Sequence, residues 1–485
     1  MSSVLRSGRL ERATKDDVVQ YISSIDADHR IARETVLVNE VHVVVLARAK
    51  IITWVTARKL LRALASIEKK PPSRKGVEDV HVLIEEYTTK KTGPVVGGQL
   101  HTGKSRNDQV ATAIRMRLRN DTLDVGAELL NLQSKLLSLA SKHTESIFMS
   151  YTHQQPAQPI SLGNYLLSIA DALSRDFERV LEAYSRINRS PLGAGAIAGS
   201  SYNLDRAYAA ELLGFDGLVE NSIDAVGSRD FLLETLALVS LVATDLARFA
   251  QDLISYSSAD IGLLELPDEF TSTSSIMPQK KNPDPLEVVR ARCAIAAGNS
   301  NAGLLLMHTL QTGYSLDFQE LTPLVWKSID TIQEAIRFLS RLVPSLKRGL
   351  PTTEKDGFEF TLATELANTI SREASIPYRE AYRMVGEAVG LAIGQEKKLS
   401  ELGEDYWQKI IGRTYGQKVM DSIRESLNPH RTLERYKTIG SSNPTLTKQA
   451  INKNTSQLID MKRELSTRET RLSRSLRILH QQVHR

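Results

Sequence analysis

The sequence predicts an all-α protein built around a long helical bundle, and three observations lead there. Leu232, Leu236, Val239, Ala243, Leu246, Ala250 and Leu253 alternate spacings of four and three over three heptads, the seam of a packed helix. Leu162, Leu166, Ile169 and Leu173 repeat the pattern in a second segment. A third such face, Leu286, Val289, Cys293 and Ala296, follows the proline-rich stretch at 278–285. Long helices with such seams pack as an antiparallel bundle, and seams this apolar leave room for helices of other subunits.

Along the chain, residues 1–110 read as an N-terminal domain of short helical patterns and charged turns. VHVVVLARAKIITW, from Val41, is apolar on nearly all sides and fits a strand as well as a buried helix. Pro71, Pro72 and Gly76 mark one break, and Gly93, Pro94, Gly97 and Gly98 a second. Residues 111–360 form the bundle, and 361–485 a C-terminal helical domain with a basic tail. In that tail Ile451, Leu458, Met461, Leu465, Leu472 and Leu476 fall near heptad positions among Lys and Arg. Such a tail can contact nucleic acid or dock as a solvated helix by its apolar edge; the second reading is preferred, and no nucleic-acid partner is expected.

Composition narrows the class. The 485 residues are 41% hydrophobic and 25% charged, as in a soluble globular protein long enough for a large core. The net charge of +5 suits anionic small molecules but is mild for this length. One cysteine, Cys293, excludes an intrachain disulfide and fits a reducing, cytoplasmic setting. The N-terminus lacks the apolar stretch of a signal peptide. The most apolar run, from Leu232, is interrupted by Glu234, Asp245 and Arg248, which a membrane span should lack. No metal-ligand cluster stands out, and the GGQLHTG glycines follow no convincing strand, so a dinucleotide site is not expected.

The chemistry concentrates in TSTSSIMPQKKNPDPLE, residues 271–287. Pro278, Pro283 and Pro285 keep the segment out of a helix, so it reads as a loop. It offers hydroxyls at 271–275, cations at Lys280 and Lys281, and the Asn282 amide, ahead of a helix N-terminus. Nearby positive charge and N–H groups can lower a hydroxyl pKa, and lysine, amide and helix end together suit an anion. By composition alone a solvated linker would look the same.

The string SSIMPQKKNP resembles the signature loop of the fumarase/aspartase superfamily, and its QKKNP ending resembles the argininosuccinate lyase branch. LHTGKSRNDQV, from Leu100, is similar to that branch's HTGRSRND element, with Lys104 for an arginine. On residues alone it is a helix N-terminus capped by Asn107 or Asp108. The resemblance implies that Arg106 and Asn107 bind a substrate carboxylate beside Thr102 and Ser105. YTHQQPAQP, from Tyr151, puts His153 in a loop; by resemblance Thr152 contacts substrate and His153 pairs with Glu287, which would raise the imidazole pKa and fix its tautomer. SPLGAGAIAGSSYNLDR and NSIDAVGSRDF match family elements, GYSLDFQE supplies Tyr314 and Gln319, YISSIDADHR supplies Ser24 and Asp28, and EDVH supplies His81. The likeness spans residues 5–445.

What the resemblance implies is a three-domain fumarase/aspartase-like fold in a homotetramer whose active sites draw on three subunits. The expected reaction is reversible β-elimination of argininosuccinate to arginine and fumarate, with no metal or other cofactor. Ser274 is the expected base, Lys280 and Asn282 the stabilisers of the aci-carboxylate, and His153, backed by Glu287, the general acid. The chain departs from the family's pattern at Thr273 for glycine, Thr322 for lysine, Pro156 for arginine, and RSGRL for an aromatic-rich start. Two alternatives stay open: a sister lyase acting on adenylosuccinate or aspartate, and a non-catalytic protein that kept the fold. QKKNP and SRNDQ count against the first, and retention of His153, Ser274 and Lys280 against the second.

Overall fold

A computed structural model describes residues 14–483 apart from 70–71, 73–75, 356 and 412–416. The RSGRL departure and Pro71 lie outside the described residues. The main elements are α1 (Ala32–Arg48), α2 (Trp54–Lys69), α3 (Val80–Thr92), α4 (Arg106–Ser141), β1 (Ile147–Thr152), β2 (Gln155–Ser161) and α5 (Leu162–Ile187). They continue with α6 (Asp230–Tyr256), β3 (Ser272–Thr273), β4 (Lys281–Asn282), α7 (Asp284–Met307), α8 (Phe318–Leu342), α9 (Ala363–Ala374), α10 (Tyr378–Gly394), α11 (Gln417–Ser426) and α12 (Pro444–Val483).

Helices α4 to α8 form the bundle, with α4 on α5, α6 on α7, and α7 on α8. The α6 seam is buried throughout: Leu232, Leu236, Ala243, Ala250 and Leu253 are each 0% exposed. That match between a heptad pattern and the buried stripe is the hydrophobic effect acting on a long helix. Leu286, Val289, Cys293 and Ala296 of α7 are buried as well. The ambiguous run from Val41 is helical as far as Arg48, where it forms the second half of α1 and nearly every side chain is buried; residues 49–53 turn into α2. A helix enclosed on all sides loses the periodicity that would separate it from a strand.

Two stretches read as loops carry short β ladders. The YTHQQPAQP segment is an antiparallel hairpin with Thr152 opposite Gln155, so His153 and Gln154 form a two-residue turn. Their φ values of +54° and +61° are those of a primed turn, which matches strand twist. The 271–287 segment pairs Ser272 with Asn282 and Thr273 with Lys281, pinching Ser274–Lys280 into a loop of its own.

The N-terminal helices and the bundle share one continuous apolar core, while α9, α10 and α11 enclose a second, smaller one around Leu366, Ile370 and Trp407. The basic tail belongs to the first core. Ile451, Leu458, Leu465, Leu472 and Leu479 of α12 are buried at a constant seven-residue spacing, and the helix lies along α4 and α5. No helix among the described residues is long and apolar enough to cross a membrane.

Candidate active site

A cleft of ≈ 650 Å³ opens where the N-terminal helices meet the start of α4 and of α8, and it gathers seven of the expected residues. They are Ser24, Asp28, Ser105, Arg106, Asn107, Tyr314 and Gln319. The start of α4 is set by a capping box. Ser105 Oγ accepts the Asn107 N–H at 3.3 Å, and Asp108 Oδ1 accepts the Ser105 N–H at 3.1 Å. Asp108 Oδ2 accepts the Gly193 and Gly195 N–H groups at 3.0 Å each, and the Asn107 amide donates to the Ala196 carbonyl at 3.0 Å. These bonds fasten the SPLGAGAIAG segment to the helix end. The cap is Ser105, not Asn107 or Asp108 as expected, and Asp108 is its capping-box partner three residues on.

On the opposite wall the Ser24 hydroxyl donates to Asp28 Oδ2 at 2.7 Å. Burial pushes the Asp28 carboxyl up to about 7, the Ser24 bond opposes this, and the nearby Asp79 charge adds to it. The Gln319 amide donates to the Ile22 carbonyl at 3.1 Å, tying the start of α8 to the N-terminal turn. Arg106 is engaged: its Nη1 lies 3.0 Å from Glu78 Oε1 and 3.0 Å from Asp79 Oδ2. A carboxylate ligand would have to share it with two acids.

His81 and Thr102 do not line the cleft. His81 is 4% exposed with neither ring nitrogen hydrogen-bonded among the described residues, and burial drives its pKa down to about 4. Thr102 uses its carbonyl to accept His42 Nε2–H at 2.8 Å. Lys104, standing where the family has arginine, is buried and donates to Asn39 Oδ1. Burial lowers its pKa to about 8.

The other expected residues do not line this cleft. Thr152 and His153 are exposed at the hairpin tip. Ser274 is half-buried, and its Oγ accepts the Ile276 and Met277 N–H groups at 3.3 and 3.1 Å. Lys281 pairs with Asp268 at 2.6 Å, whereas among the described residues Lys280 makes no ion pair. Asn282 lies in β4, and Glu287 is exposed in the first turn of α7. Among the described contacts none joins His153 to Glu287 within one chain.

The cleft also holds groups to which the sequence assigned no role: Glu78, Asp79, Glu85, His101 and Arg229. His101 Nδ1 lies 3.2 Å from Glu85 Oε2. Asp79 caps α3 through the Val82 N–H at 2.7 Å, a signal legible in EDVH. Arg229 sits in the quoted NSIDAVGSRDF element, but nothing in its spacing marked it for the cleft.

Comparison with known proteins follows the same lines. A family model described as lyase matches residues 47–298, and one described as argininosuccinate lyase C-terminal matches 360–434. An argininosuccinate lyase of Methanosarcina mazei is 38% identical over 472 residues, covering 96% of this chain and 96% of that protein. That of Methanocaldococcus jannaschii is 38% identical over 448 residues, covering 91% and 92%. Among solved structures, an EDDS lyase in complex with formate superposes with a TM-score of 0.87 at 27% identity, covering 97% of this chain and 95% of that one. A class II fumarase from Schistosoma mansoni reaches 0.72 at 16% identity, covering 86% and 95%, a likeness of fold alone.

Proposed function

The chain belongs to the argininosuccinate lyase family, and on that premise we propose that it cleaves argininosuccinate reversibly into arginine and fumarate, the last step of arginine biosynthesis. The observation that carries the chemical assignment is the 274–282 loop. Ser274 Oγ is held by two backbone N–H groups, and Lys280 makes no ion pair among the described residues, beside a Lys281 paired with Asp268.

Ser274 takes the proton from the carbon beside a substrate carboxylate. A serine hydroxyl is a weak base in water; two N–H donors and the Lys280 charge favour its alkoxide. The electron pair left on carbon spreads into the carboxylate, where Lys280 and Asn282 meet the second negative charge. It then returns to form the carbon–carbon double bond of fumarate as the carbon–nitrogen bond breaks, its pair leaving with the guanidino nitrogen. His153, backed by Glu287, supplies the proton that this nitrogen takes up. Ser24, Asp28, Ser105, Arg106, Asn107, Thr152, Tyr314 and Gln319 hold the substrate, with Thr102 and His81 supporting them.

Ser274, Lys280, His153 and the cleft meet in a homotetramer whose sites draw on several subunits. Two facts support this: the expected residues divide between the cleft and exposed segments, and Leu241, Val288, Ile295, Leu304 and Leu305 are exposed apolar side chains on α6 and α7. A cytoplasmic location is part of the same reading, supported by the single, buried, unpaired cysteine.

The test is release of fumarate, followed by its ultraviolet absorbance, with argininosuccinate and adenylosuccinate offered separately. Release from argininosuccinate alone is expected. Release from adenylosuccinate alone, or silence with both from a folded assembly, overturns the assignment.

A further inference from the structure

Two arginines line the cleft, and they are in opposite states. Arg106 has its charge answered by Glu78 and Asp79. Arg229, which caps the start of α6, is 1% exposed and has no ion pair among the described residues. Its Nη1 donates to the Val226 and Ser228 carbonyls at 3.2 and 2.6 Å. One face of the guanidinium stacks on the Phe318 ring, 4.4 Å from its centroid. Its Nε and Nη2 have no hydrogen-bond partner among the described residues.

Those two nitrogens form one edge of the planar group, the edge that grips a carboxylate with two parallel N–H bonds. Burying a cation with unfilled donors costs several kcal/mol unless something completes it. Burial lowers the Arg229 pKa to about 10, with the nearby Tyr314 opposing and the Arg115 charge adding to the fall. Everything else about the residue is fixed: two carbonyls hold one nitrogen and an aromatic ring holds one face. Only the carboxylate-binding edge is left open.

The neighbourhood leads to the substrate. Phe318, Tyr314, Gln319 and Thr322 line the same wall, and the Tyr314 and Phe318 rings meet edge to face at 5.5 Å. The turn before Arg229 packs closely on the loop bearing Tyr314: a Cβ on Gly227 would lie 3.0 Å from Gly313 N, so a side chain there would push the two turns apart by a few tenths of an ångström. Thr322 is buried, and its hydroxyl donates to the Gln319 carbonyl at 3.1 Å, leaving Arg229 as the cation of this wall.

We propose that Arg229 is a substrate-binding residue that clamps one carboxylate of argininosuccinate side-on through Nε and Nη2. The inference rests on the lyase reading for the identity of the ligand. Both nitrogens are shielded from solvent, so a carboxylate reaches them only when a side chain of this wall moves. The carboxylate comes either from the half that leaves as fumarate or from the α-carboxylate of the arginine half.

Calorimetric titration of the full-length assembled enzyme separates these sources. Wild type, Arg229→Gln and Arg229→Lys are each titrated with fumarate, with arginine, and with agmatine, which is arginine without its carboxylate. Loss of a two-pronged charged contact weakens binding roughly ten- to hundredfold. Lysine keeps the charge but not the fork, so it restores only part of that loss. The expected result is a loss for fumarate alone or for arginine alone, with agmatine unchanged, and the affected ligand identifies the carboxylate. If the glutamine variant fails to fold, the lysine variant carries the test. Unchanged affinity for both acids in a folded variant overturns the proposal, as does an equal loss for all three ligands. A wild type that binds these ligands but releases no fumarate from argininosuccinate refutes the functional reading and leaves the Arg229 comparison readable. A wild type that binds none of them refutes both.

Discussion

Ser274 Oγ accepts the Met277 backbone N–H at 3.1 Å, with the Ile276 N–H at 3.3 Å beside it, so the loop folds back on its own hydroxyl. Two donors aimed at one oxygen stabilise it more as an alkoxide than as an alcohol, the bias a serine base needs. Ser274→Ala is therefore expected to lower kcat by at least ~10³-fold, with fumarate binding changed by less than ~10-fold. Single-turnover fumarate release and calorimetry check the two halves, and a kcat within tenfold of wild type would remove Ser274 from the chemistry.

The neighbouring lysines have divided roles. Lys281 is tied to Asp268, whereas Lys280 has no ion pair among the described residues. Lys280→Met is expected to cost ~10²–10³-fold in kcat, the usual size for a lost oxyanion partner, and Lys281→Met less than ~10-fold. Steady-state kinetics of both variants decide it. Equal losses would show that the pair acts through loop conformation.

His153 sits at a turn position with φ of +54°, a region that asparagine tolerates better than alanine. His153→Asn thus keeps the hairpin and removes the imidazole. It is expected to lose ~10²-fold or more in kcat and the basic limb of the pH profile, with an unchanged melting temperature. Activity retained in the asparagine variant, but lost in His153→Ala, would assign the residue to the turn alone.

Glu40 is 0% exposed on α1, and neither carboxyl oxygen is hydrogen-bonded among the described residues. Burial, with Glu68 adding repulsion, pushes its pKa from 4.5 up to about 8. A carboxyl with a raised folded pKa favours the folded state while protonated. Stability is therefore lost as pH climbs from the unfolded value near 4.5 through about 8. Glu40→Gln removes that loss and is expected to stabilise by about 1–3 kcal/mol at pH 8.5, with little effect at pH 4.5. Urea unfolding of both forms at the two pH values measures it, and an equal effect at both would mean that the Glu40 pKa does not change on folding.

Most of the helical framework was legible because a bundle helix must present an apolar stripe at its own period, and α6, α7 and α12 do so. The Val41 run was not legible from its own residues, since a helix enclosed on every side has no stripe; only the family resemblance argued for helix. The hairpin at 147–161 was missed because its proline-rich second strand carries no alternating pattern. The site divided in the same way. Ser105, Arg106 and Asn107 stand together in the sequence and in the cleft. Arg229 meets Tyr314 and Phe318 only through the fold.

By itself, the sequence determined which local pieces the chain would make and what chemistry each could carry. Heptad seams, prolines, caps and the SSIMPQKKNP string act over a few residues, where spacing and side-chain type are enough. The tertiary structure alone decided which groups share a cleft, which lysine of the adjacent pair is spent on an acid, and which arginine is left with an open edge. Those outcomes depend on burial and on partners far away in the chain, and neither is written in local spacing.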